Sequence, residues 1–272
     1  MMITSRSNRL ITGTAALKEK KYRDRSRRFM LEGEKLFLEA MSSGAELTNV
    51  FCTPDKAEFC RRAGAPEEII VEVSDDVLSK LSTEKAPQGI ICVSKYIDKF
   101  HNINKIYSKE DFPCDSAKRC ILLSSLRDPG NLGTIIRTAL AFGIDEILMS
   151  PDCADIYNLR TVRASMGAVF RQRISVCASL EQAVCVMREC GYDIYAAMLD
   201  KSAKTLTDID ITDRTAFIIG NEGHGISEEI AGVAGGKVYI PMETGAESLN
   251  AAIAASVFMW QMYKGGKRLT GR

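Results

Sequence analysis

The sequence predicts an α/β protein with two domains, the larger of which contains a parallel β-sheet. Short apolar runs alternate with helix-like segments along the 272 residues. Apolar runs of the C-terminal half, such as CILLSS and AFIIG, lack the polar alternation of a half-exposed strand, which is typical of strands buried on both faces of a parallel sheet. A polar stretch without clear periodicity separates the halves. We therefore predict domains at 1–98 and 119–272, joined by a linker at 99–118.

The N-terminal part has the pattern of a small α/β domain. Apolar spacing over residues 27–44 predicts a helix that ends at Gly44. The following pattern predicts a strand at 47–54, a helix at 57–64 and a strand at 68–74. A helix with an acidic first turn is predicted at 75–82, and a strand at 89–96.

The C-terminal part continues the alternation of strands and helices. A short strand fragment is expected in the linker around residues 105–107. Strands are predicted at 119–125, 146–150, 173–177, 193–198, 215–219 and 237–240. Helices are predicted at 131–142, 158–167, 180–190, 227–233 and 247–263.

The composition argues against a membrane-spanning or secreted protein. No apolar run approaches the roughly 18 residues that a membrane helix needs. The N-terminus lacks the apolar segment of a secretory signal. The nine cysteines form no CxxC pair, and the chain has only two histidines, which argues against a zinc site or any other metal site. We therefore expect a cytoplasmic protein with reduced cysteines.

Charge is distributed unevenly along the chain. Residues 1–30 contain nine Lys and Arg but only two acidic residues, although the net charge of the whole chain is +1. A basic N-terminal segment on an otherwise mildly acidic chain indicates a polyanionic partner. A solvated terminal segment with no partner would show the same charge, so both interpretations stay open at this point.

Three loops that follow predicted strands carry polar and glycine residues. The first contains Asn131 and Arg137, the second Asn221 and Glu222, and the third leads into a helix at Ser248. Ligands of open α/β sheets bind at the carboxyl ends of the strands. Glycine, asparagine and serine permit unusual backbone angles and expose backbone amides to a ligand. These loops are therefore candidates for one shared site.

Each of these residues also has an ordinary structural interpretation. Asn131 and Ser248 could cap helices, and Gly133 could be a packing contact. Arg137 could be a solvated helix residue, and Glu222 could form a surface ion pair. Taken singly, the two interpretations are balanced, but three such loops at three strand ends favour a site.

Two common nucleotide-binding motifs are missing. GxxxxGK[ST] does not occur, which argues against P-loop chemistry. GNEGHG at 220–225 lacks the GxGxxG spacing, and no acidic residue follows at the expected distance, so a nicotinamide-dependent oxidoreductase is disfavoured.

The three blocks together resemble a known family. NLGTIIR at 131–137, IGNEGHGIS at 219–227 and IPMETGAESLN at 240–250 are similar to the three signature blocks of the SpoU (TrmH-like) RNA ribose 2′-O-methyltransferases, over about residues 119–264. The opening SRSNRLI…RRFMLEGEKLF is typical of the N-terminal domain found in this family. The resemblance implies a knotted (trefoil) parallel-sheet methyltransferase domain and a ribosomal-protein-like RNA-binding domain. It also implies a homodimer.

The resemblance implies the chemistry of the three loops. The family transfers a methyl group from S-adenosylmethionine to a ribose 2′-OH. Arg137 matches the catalytic arginine, which could stabilise an alkoxide, orient a phosphate or act as a base. Asn131 and Glu222 match the residues beside it, and Ser248 and Asn250 match the polar pair near the methyl-transfer centre.

The resemblance also implies the binding residues. The cofactor pocket is formed by the second and third blocks, with the candidates Ile219, Gly220, Asn221, Ile240, Met242 and Leu249. An enzyme that acts on RNA needs cations against phosphate. The candidates from the basic segment are Arg6, Arg9, Arg23, Arg25, Arg27 and Arg28. Ribosomal RNA is the expected substrate, with transfer RNA second. A non-catalytic RNA-binding protein that keeps this fold is the alternative, which the intact polar positions disfavour.

Overall fold

The computed structural model describes residues 2–112, 118–221, 223–243, 245 and 248–265. Its helices are α1 Arg9–Ala16, α2 Lys20–Ser26, α3 Glu34–Ser43, α4 Pro54–Arg62, α5 Asp75–Leu81, α6 Pro129–Ala141, α7 Leu159–Ala164, α8 Leu180–Glu189, α9 Glu228–Val233 and α10 Ala251–Gly265. Its strands are β1 Arg28–Glu32, β2 Leu47–Cys52, β3 Ile70–Glu72, β4 Ile90–Lys95, β5 His101–Lys105, β6 Cys120–Leu123, β7 Glu146–Met149, β8 Ile174–Cys177, β9 Asp193–Ala197, β10 Lys204–Thr205, β11 Thr215–Ile219 and β12 Gly236–Tyr239.

The chain forms two compact units. The N-terminal unit contains residues 1–99 together with 155–171, and the C-terminal unit contains 100–154 and 172–272. The division into functional domains at 1–98 and 119–272 remains a prediction.

The N-terminal unit is built on a four-stranded sheet of order β1-β4-β2-β3. Strand β4 is antiparallel to β1 and β2, whereas β3 is parallel to β2. The prediction of one helix over residues 27–44 is wrong in its first part, because Arg28–Glu32 form β1. Gly33, at φ +103°, separates this strand from α3. The positive φ disfavours any residue with a side chain at this position, whereas the nearest atom to a Cβ there, Oε1 of Gln88 at 2.7 Å, is the movable end of a side chain.

Residues 155–171 complete the N-terminal unit from a distant part of the chain. The buried guanidinium of Arg23 forms a salt bridge with the Asp155 carboxylate. The Tyr157 ring lies 3.9 Å from the Tyr96 ring and 4.6 Å from the Phe29 ring, centroid to centroid. The core of this unit therefore depends on residues that follow β7 in sequence.

The C-terminal unit is built on a parallel sheet of order β10-β12-β9-β11-β6-β7-β8-β5. Every pair of neighbouring strands is parallel, which confirms the predicted α/β class with a parallel sheet. Strands β6 and β11 are buried along their whole length, in agreement with their apolar runs CILL and AFII, and β7 is buried as well although it begins with Glu146.

Three elements of the C-terminal unit differ from the prediction, and the first is the two-residue edge strand β10, which was not predicted. The strand expected around residues 105–107 is His101–Lys105, and it pairs with β8 at the edge of the sheet. The helix predicted from residue 247 begins at Ala251, because Oδ1 of Asn250 accepts the backbone N–H of Ala252 at 2.9 Å and so caps the helix.

Helix α10 packs against α6 and the sheet. Its Phe258 ring lies 4.6 Å from the Phe217 ring of β11, and Oγ of Ser256 lies 3.5 Å from Oγ1 of Thr138 on α6. This packing brings the start of α10 to the carboxyl ends of the central strands.

Candidate active site

A cavity of about 240 Å³ lies at the carboxyl ends of β9, β11 and β12, beside α10. It is lined by all six residues that were predicted to bind the cofactor: Ile219, Gly220, Asn221, Ile240, Met242 and Leu249. Ser248, predicted near the methyl-transfer centre, lines it as well. Two segments more than 15 residues apart in sequence thus share one cavity, as expected for neighbouring strand ends in a parallel sheet.

Part of the cavity wall was not predicted from the sequence. The missed residues lie at the end of β9 or directly after it, in the turn after β11, in β12, or on α10: Ala197, Met198, Leu199, Gly225, Val238, Tyr239, Ala251, Ala254 and Phe258. Strand β9 reaches the cavity because it lies between β11 and β12 in the sheet. Its sequence, DIYAA, carries no polar or glycine signal, so only the strand order could have placed it there.

Gly220 lies where two backbone segments approach each other closely. A Cβ at this position would lie 2.4 Å from the carbonyl carbon of Gly225 and 2.5 Å from its oxygen. The following turn is closed by two hydrogen bonds of 2.9 Å between the backbones of Asn221 and Gly225. Glycine at position 220 therefore lets the turn fold back against the end of β11.

The side chain of Asn221 connects this turn to the end of β6. Its Nδ2 donates to the carbonyl oxygen of Ser125 at 2.8 Å. Its Oδ1 accepts the backbone N–H groups of Gly223, at 2.8 Å, and His224, at 3.2 Å. Both ends of the amide are thus engaged. Asn221 and residues 223–225, which we call the cofactor-side turn, are therefore fixed to the neighbouring strand end.

A second polar contact connects the first and third sequence blocks. Nδ2 of Asn250 donates to Oδ1 of Asn131 at 3.1 Å. Asn131 lies in the first turn of α6, where its backbone N–H donates to the capping carboxylate of Asp128 at 2.8 Å. The amide pair therefore holds the start of α6 against the start of α10.

Arg137 lies six residues beyond Asn131 on α6, and its side chain is exposed. Within the described part of the chain, its guanidinium forms no ion pair or hydrogen bond, and it does not line the cavity. Glu222, the predicted carboxylate neighbour, lies outside the described residues. The structure therefore brings together Asn131 and Asn250, while the contact between Arg137 and Glu222 stays a prediction.

Asp152, in the loop after β7, is a carboxylate at this end of the sheet whose pKa is shifted. Partial burial opposes its ionisation, but hydrogen bonds from Ser150, Ser125 and Arg127 outweigh burial and lower the pKa of this carboxyl below its ordinary value. The carboxylate is therefore ionised at neutral pH. Its Oδ1 lies 2.6 Å from Oγ of Ser150, and its Oδ2 lies 3.4 Å from the Arg127 guanidinium.

The predicted RNA-binding arginines have different surroundings. Arg6 pairs with Asp76 at 2.9 Å, and Arg27 pairs with Asp98 while its guanidinium lies 5.0 Å from the Tyr96 ring centroid. Arg9, Arg25 and Arg28 are exposed and form no ion pair with any residue that the structure describes.

Arg23 differs from the other five because it is buried. Besides the Asp155 carboxylate, its guanidinium donates to the carbonyl oxygens of Leu17 and Lys18, both at 2.8 Å. These contacts stabilise the buried positive charge of the Arg23 guanidinium, so we do not propose Arg23 as an RNA contact.

No group of three or more His, Cys, Asp or Glu is arranged to hold a metal ion in the described ranges. In the same ranges, no helix combines the length and the apolar character that crossing a membrane requires.

Comparison with known protein families decides the assignment. The model of the SpoU rRNA methylase family matches residues 118–260, more than half of the chain, and that of the MRM3-like substrate binding domain matches residues 8–92. The chain belongs to the SpoU rRNA methylase family. The predicted family and the enzyme class that goes with it, an RNA ribose 2′-O-methyltransferase, are confirmed.

Relatives of this SpoU methylase cover almost its whole length. The 23S rRNA (guanosine(2553)-2′-O)-methyltransferase RlmP of Bacillus subtilis is 28% identical over 269 residues, which cover 96% of this chain and 98% of RlmP. An AdoMet-bound rRNA methyltransferase from Sinorhizobium meliloti has a TM-score of 0.82 at 30% identity, with 97% of both chains covered. The SpoU methyltransferase AviRb from Streptomyces viridochromogenes, in complex with AdoMet, has a TM-score of 0.78 at 25% identity, with 97% and 100% covered. Both solved relatives bind the cofactor predicted here.

Proposed function

We propose that this protein transfers a methyl group from S-adenosylmethionine to a ribose 2′-hydroxyl of ribosomal RNA. One observation carries the proposal: the residues of the second and third blocks line one cavity, beside the amide pair that joins the first and third blocks. Ribosomal RNA is preferred over transfer RNA because RlmP and the Sinorhizobium and Streptomyces relatives have near-complete coverage and two of them are named as rRNA enzymes.

The cavity fits S-adenosylmethionine. Its walls combine apolar side chains, such as Met242, Leu249 and Phe258, with the backbone around Gly220, where a Cβ would not fit. Apolar walls suit an adenine ring, and exposed backbone groups can bond its edge without a charged side chain. When bound, S-adenosylmethionine supplies an electrophilic methyl group on a sulfonium.

The polar residues beside the cavity would position the ribose. A hydroxyl is a weak nucleophile, so it has to be held in line with the methyl group while negative charge develops on its oxygen. We assign Arg137 the stabilisation of this charge rather than the role of a base, because its exposed guanidinium offers several N–H donors and no acceptor. Asn131, Ser248 and Asn250 would orient the ribose, and Glu222 would orient the Arg137 guanidinium, as the family resemblance implies.

The N-terminal domain, residues 1–98, would bind the RNA. Arg9, Arg25 and Arg28 have no acidic partner within the described residues, so phosphate would be their first counter-charge. Arg6 and Arg27 would have to exchange an exposed ion pair for phosphate, which costs little because such pairs contribute little to stability.

A homodimer and a knotted C-terminal domain complete the proposal. Helix α10 leaves Ile253 55% and Trp260 46% exposed, and the Trp260 ring lies 5.6 Å from the Phe142 ring. Exposed apolar side chains of this size on adjacent elements are typical of a protein interface. We place the dimer interface here and the protein in the cytoplasm, and light scattering of the purified protein tests the dimer.

The substrate is tested with purified protein, labelled S-adenosylmethionine, and separate pools of unmodified rRNA and tRNA. Digestion to nucleosides shows which nucleotide carries the label. We expect label on a 2′-O-methyl nucleoside from rRNA. Label from tRNA alone would contradict the substrate, and label on a base would contradict the reaction.

A further inference from the structure

Ser125, directly after β6, has an unusual backbone conformation. Its φ of 55° lies in the left-handed region, which non-glycine residues adopt only when their surroundings hold them there. Its peptide groups point to two neighbouring strand ends. The N–H donates to Oγ of Ser150, after β7, at 2.8 Å, and the carbonyl oxygen accepts Nδ2 of Asn221, after β11, at 2.8 Å.

The hydroxyl of Ser150 has a fixed orientation. Its Oγ lies 2.6 Å from Oδ1 of Asp152, and a carboxylate can only accept a hydrogen bond. The single hydroxyl proton therefore points to Asp152, which leaves the lone pairs of Oγ for the N–H of Ser125. Ser150 is buried, so water does not replace this acceptor easily.

The connection continues from Ser125 to the cavity. The Ser125 carbonyl holds the side chain of Asn221, and the other end of that amide holds the N–H groups of Gly223 and His224. Asn221 and Gly225 both line the cavity. An unbroken series of hydrogen bonds thus runs from Asp152 to the cofactor-side turn.

This series is separate from the contacts that hold the strand ends together. The backbone N–H of Ser150 donates to the carbonyl of Leu123 at 2.9 Å, and that of Ala154 donates to the carbonyl of Leu126 at 2.7 Å. Neither bond needs the Ser150 hydroxyl. Loss of the hydroxyl would therefore remove the acceptor of the Ser125 N–H without separating β6 from β7, and the side chain of Ser125 would keep only its own hydrogen bond to Asp152.

We propose that Ser150, oriented by Asp152, is a positioning residue that fixes the cofactor-side turn through Ser125 and Asn221. It touches neither substrate nor cofactor, and its effect on cofactor affinity rests on the proposed function. A turn held in one conformation binds a ligand more tightly than a mobile one, because less ordering is needed on binding.

The test compares Ser150→Ala with Ser150→Thr and with Ser179→Ala. Thr keeps a hydroxyl on the same carbon. Ser179 is a matched control, since its Oγ also contacts a carboxylate two residues on, Oε2 of Glu181 at 2.8 Å, but it caps α8 instead. Thermal unfolding shows that each variant is folded, hydrogen exchange follows the N–H groups of Gly223 and His224, and calorimetry gives the affinity for S-adenosylmethionine.

In Ser150→Ala we expect amide exchange in the turn to be about tenfold faster and cofactor affinity to be about tenfold weaker, for one lost buried acceptor. Ser150→Thr and Ser179→Ala should each stay within about threefold of wild type. Unchanged exchange in the turn, or unchanged affinity, in a folded Ser150→Ala protein would overturn the proposal, as would an equal effect in Ser179→Ala. If the wild-type protein binds no S-adenosylmethionine, the proposed function is refuted instead. The positioning role of Ser150 is then tested by the amide exchange rates of the turn alone.

Discussion

Nδ2 of Asn250 donates to Oδ1 of Asn131 at 3.1 Å, although the two residues are 119 positions apart in sequence. Asn250 also caps α10, since its Oδ1 accepts the backbone N–H groups of Ala252 and Ile253. One side chain therefore starts a helix and joins the first and third sequence blocks. These two roles can be separated by mutation.

Asn250→Ser should keep the cap and lose the contact with Asn131, because serine caps helices as well as asparagine but is too short to reach across. We expect the free energy of unfolding to change by less than about 0.5 kcal/mol and methyl transfer to fall at least about tenfold. Denaturant unfolding and single-turnover kinetics measure the two effects. In Asn250→Ala the cap is lost too, so stability should also fall by about 1 kcal/mol. Wild-type turnover in Asn250→Ser would refute a role for the amide pair.

Gly220→Ala should abolish cofactor binding, because the new Cβ would lie 2.4 Å from the backbone of Gly225 and force the turn open. Gly232→Ala is the matched control. Its Cβ would meet nothing within 4 Å, and alanine favours the helix by up to about 1 kcal/mol. Calorimetric titration with S-adenosylmethionine should show binding only in the control variant. Normal affinity in Gly220→Ala would mean that the cofactor lies elsewhere.

Arg23→Met should destabilise the N-terminal unit by about 3–5 kcal/mol, because it leaves the Asp155 carboxylate partly buried without its partner. Arg25→Met, two residues on in the same helix, removes an exposed charge and should change stability by less than about 0.5 kcal/mol. Urea unfolding of the two variants compares them directly. Similar stability of both would contradict the structural role of Arg23.

Reversal of Arg25 and Arg28 to glutamate should weaken RNA binding at least about tenfold and flatten its dependence on salt, because two cations would be replaced by anions. Cofactor affinity should not change. Arg62→Glu, on α4, is the control for a reversed charge elsewhere, since Arg62 already pairs with Glu58. Filter binding of rRNA fragments over a range of salt concentrations measures the effect. Equal losses in Arg62→Glu would show that only the net charge matters.

The cavity residues that the sequence indicated, such as Gly220 and Asn221, lie in short blocks that resemble those of a known family. They were recognised from this local resemblance, which requires no knowledge of distant contacts. The wall formed by Met198 and Leu199 depends on the position of β9 between β11 and β12, which no local pattern records.

The fold, like the cavity wall, could be predicted only in part from the sequence. The central strands β6 and β11 consist almost entirely of apolar residues, and they were predicted within a few residues. Strand β1 was missed because Phe29, Met30 and Leu31 precede a real amphipathic helix and extend its apolar spacing. Membership of residues 155–171 in the N-terminal unit rests on long-range contacts such as Arg23 to Asp155, for which the sequence carries no local signal.

The most direct test of the central claim compares wild type with Arg137→Ala on unmodified rRNA, using labelled S-adenosylmethionine, with cofactor affinity measured on the same preparations. Wild type should place label on one 2′-O-methyl nucleoside. The variant should bind the cofactor with unchanged affinity, because Arg137 does not line the cavity, and should lose at least about a hundredfold in rate, as expected when a group that stabilises developing charge is removed. Full activity in the variant, or no labelled ribose with wild type, would contradict the account.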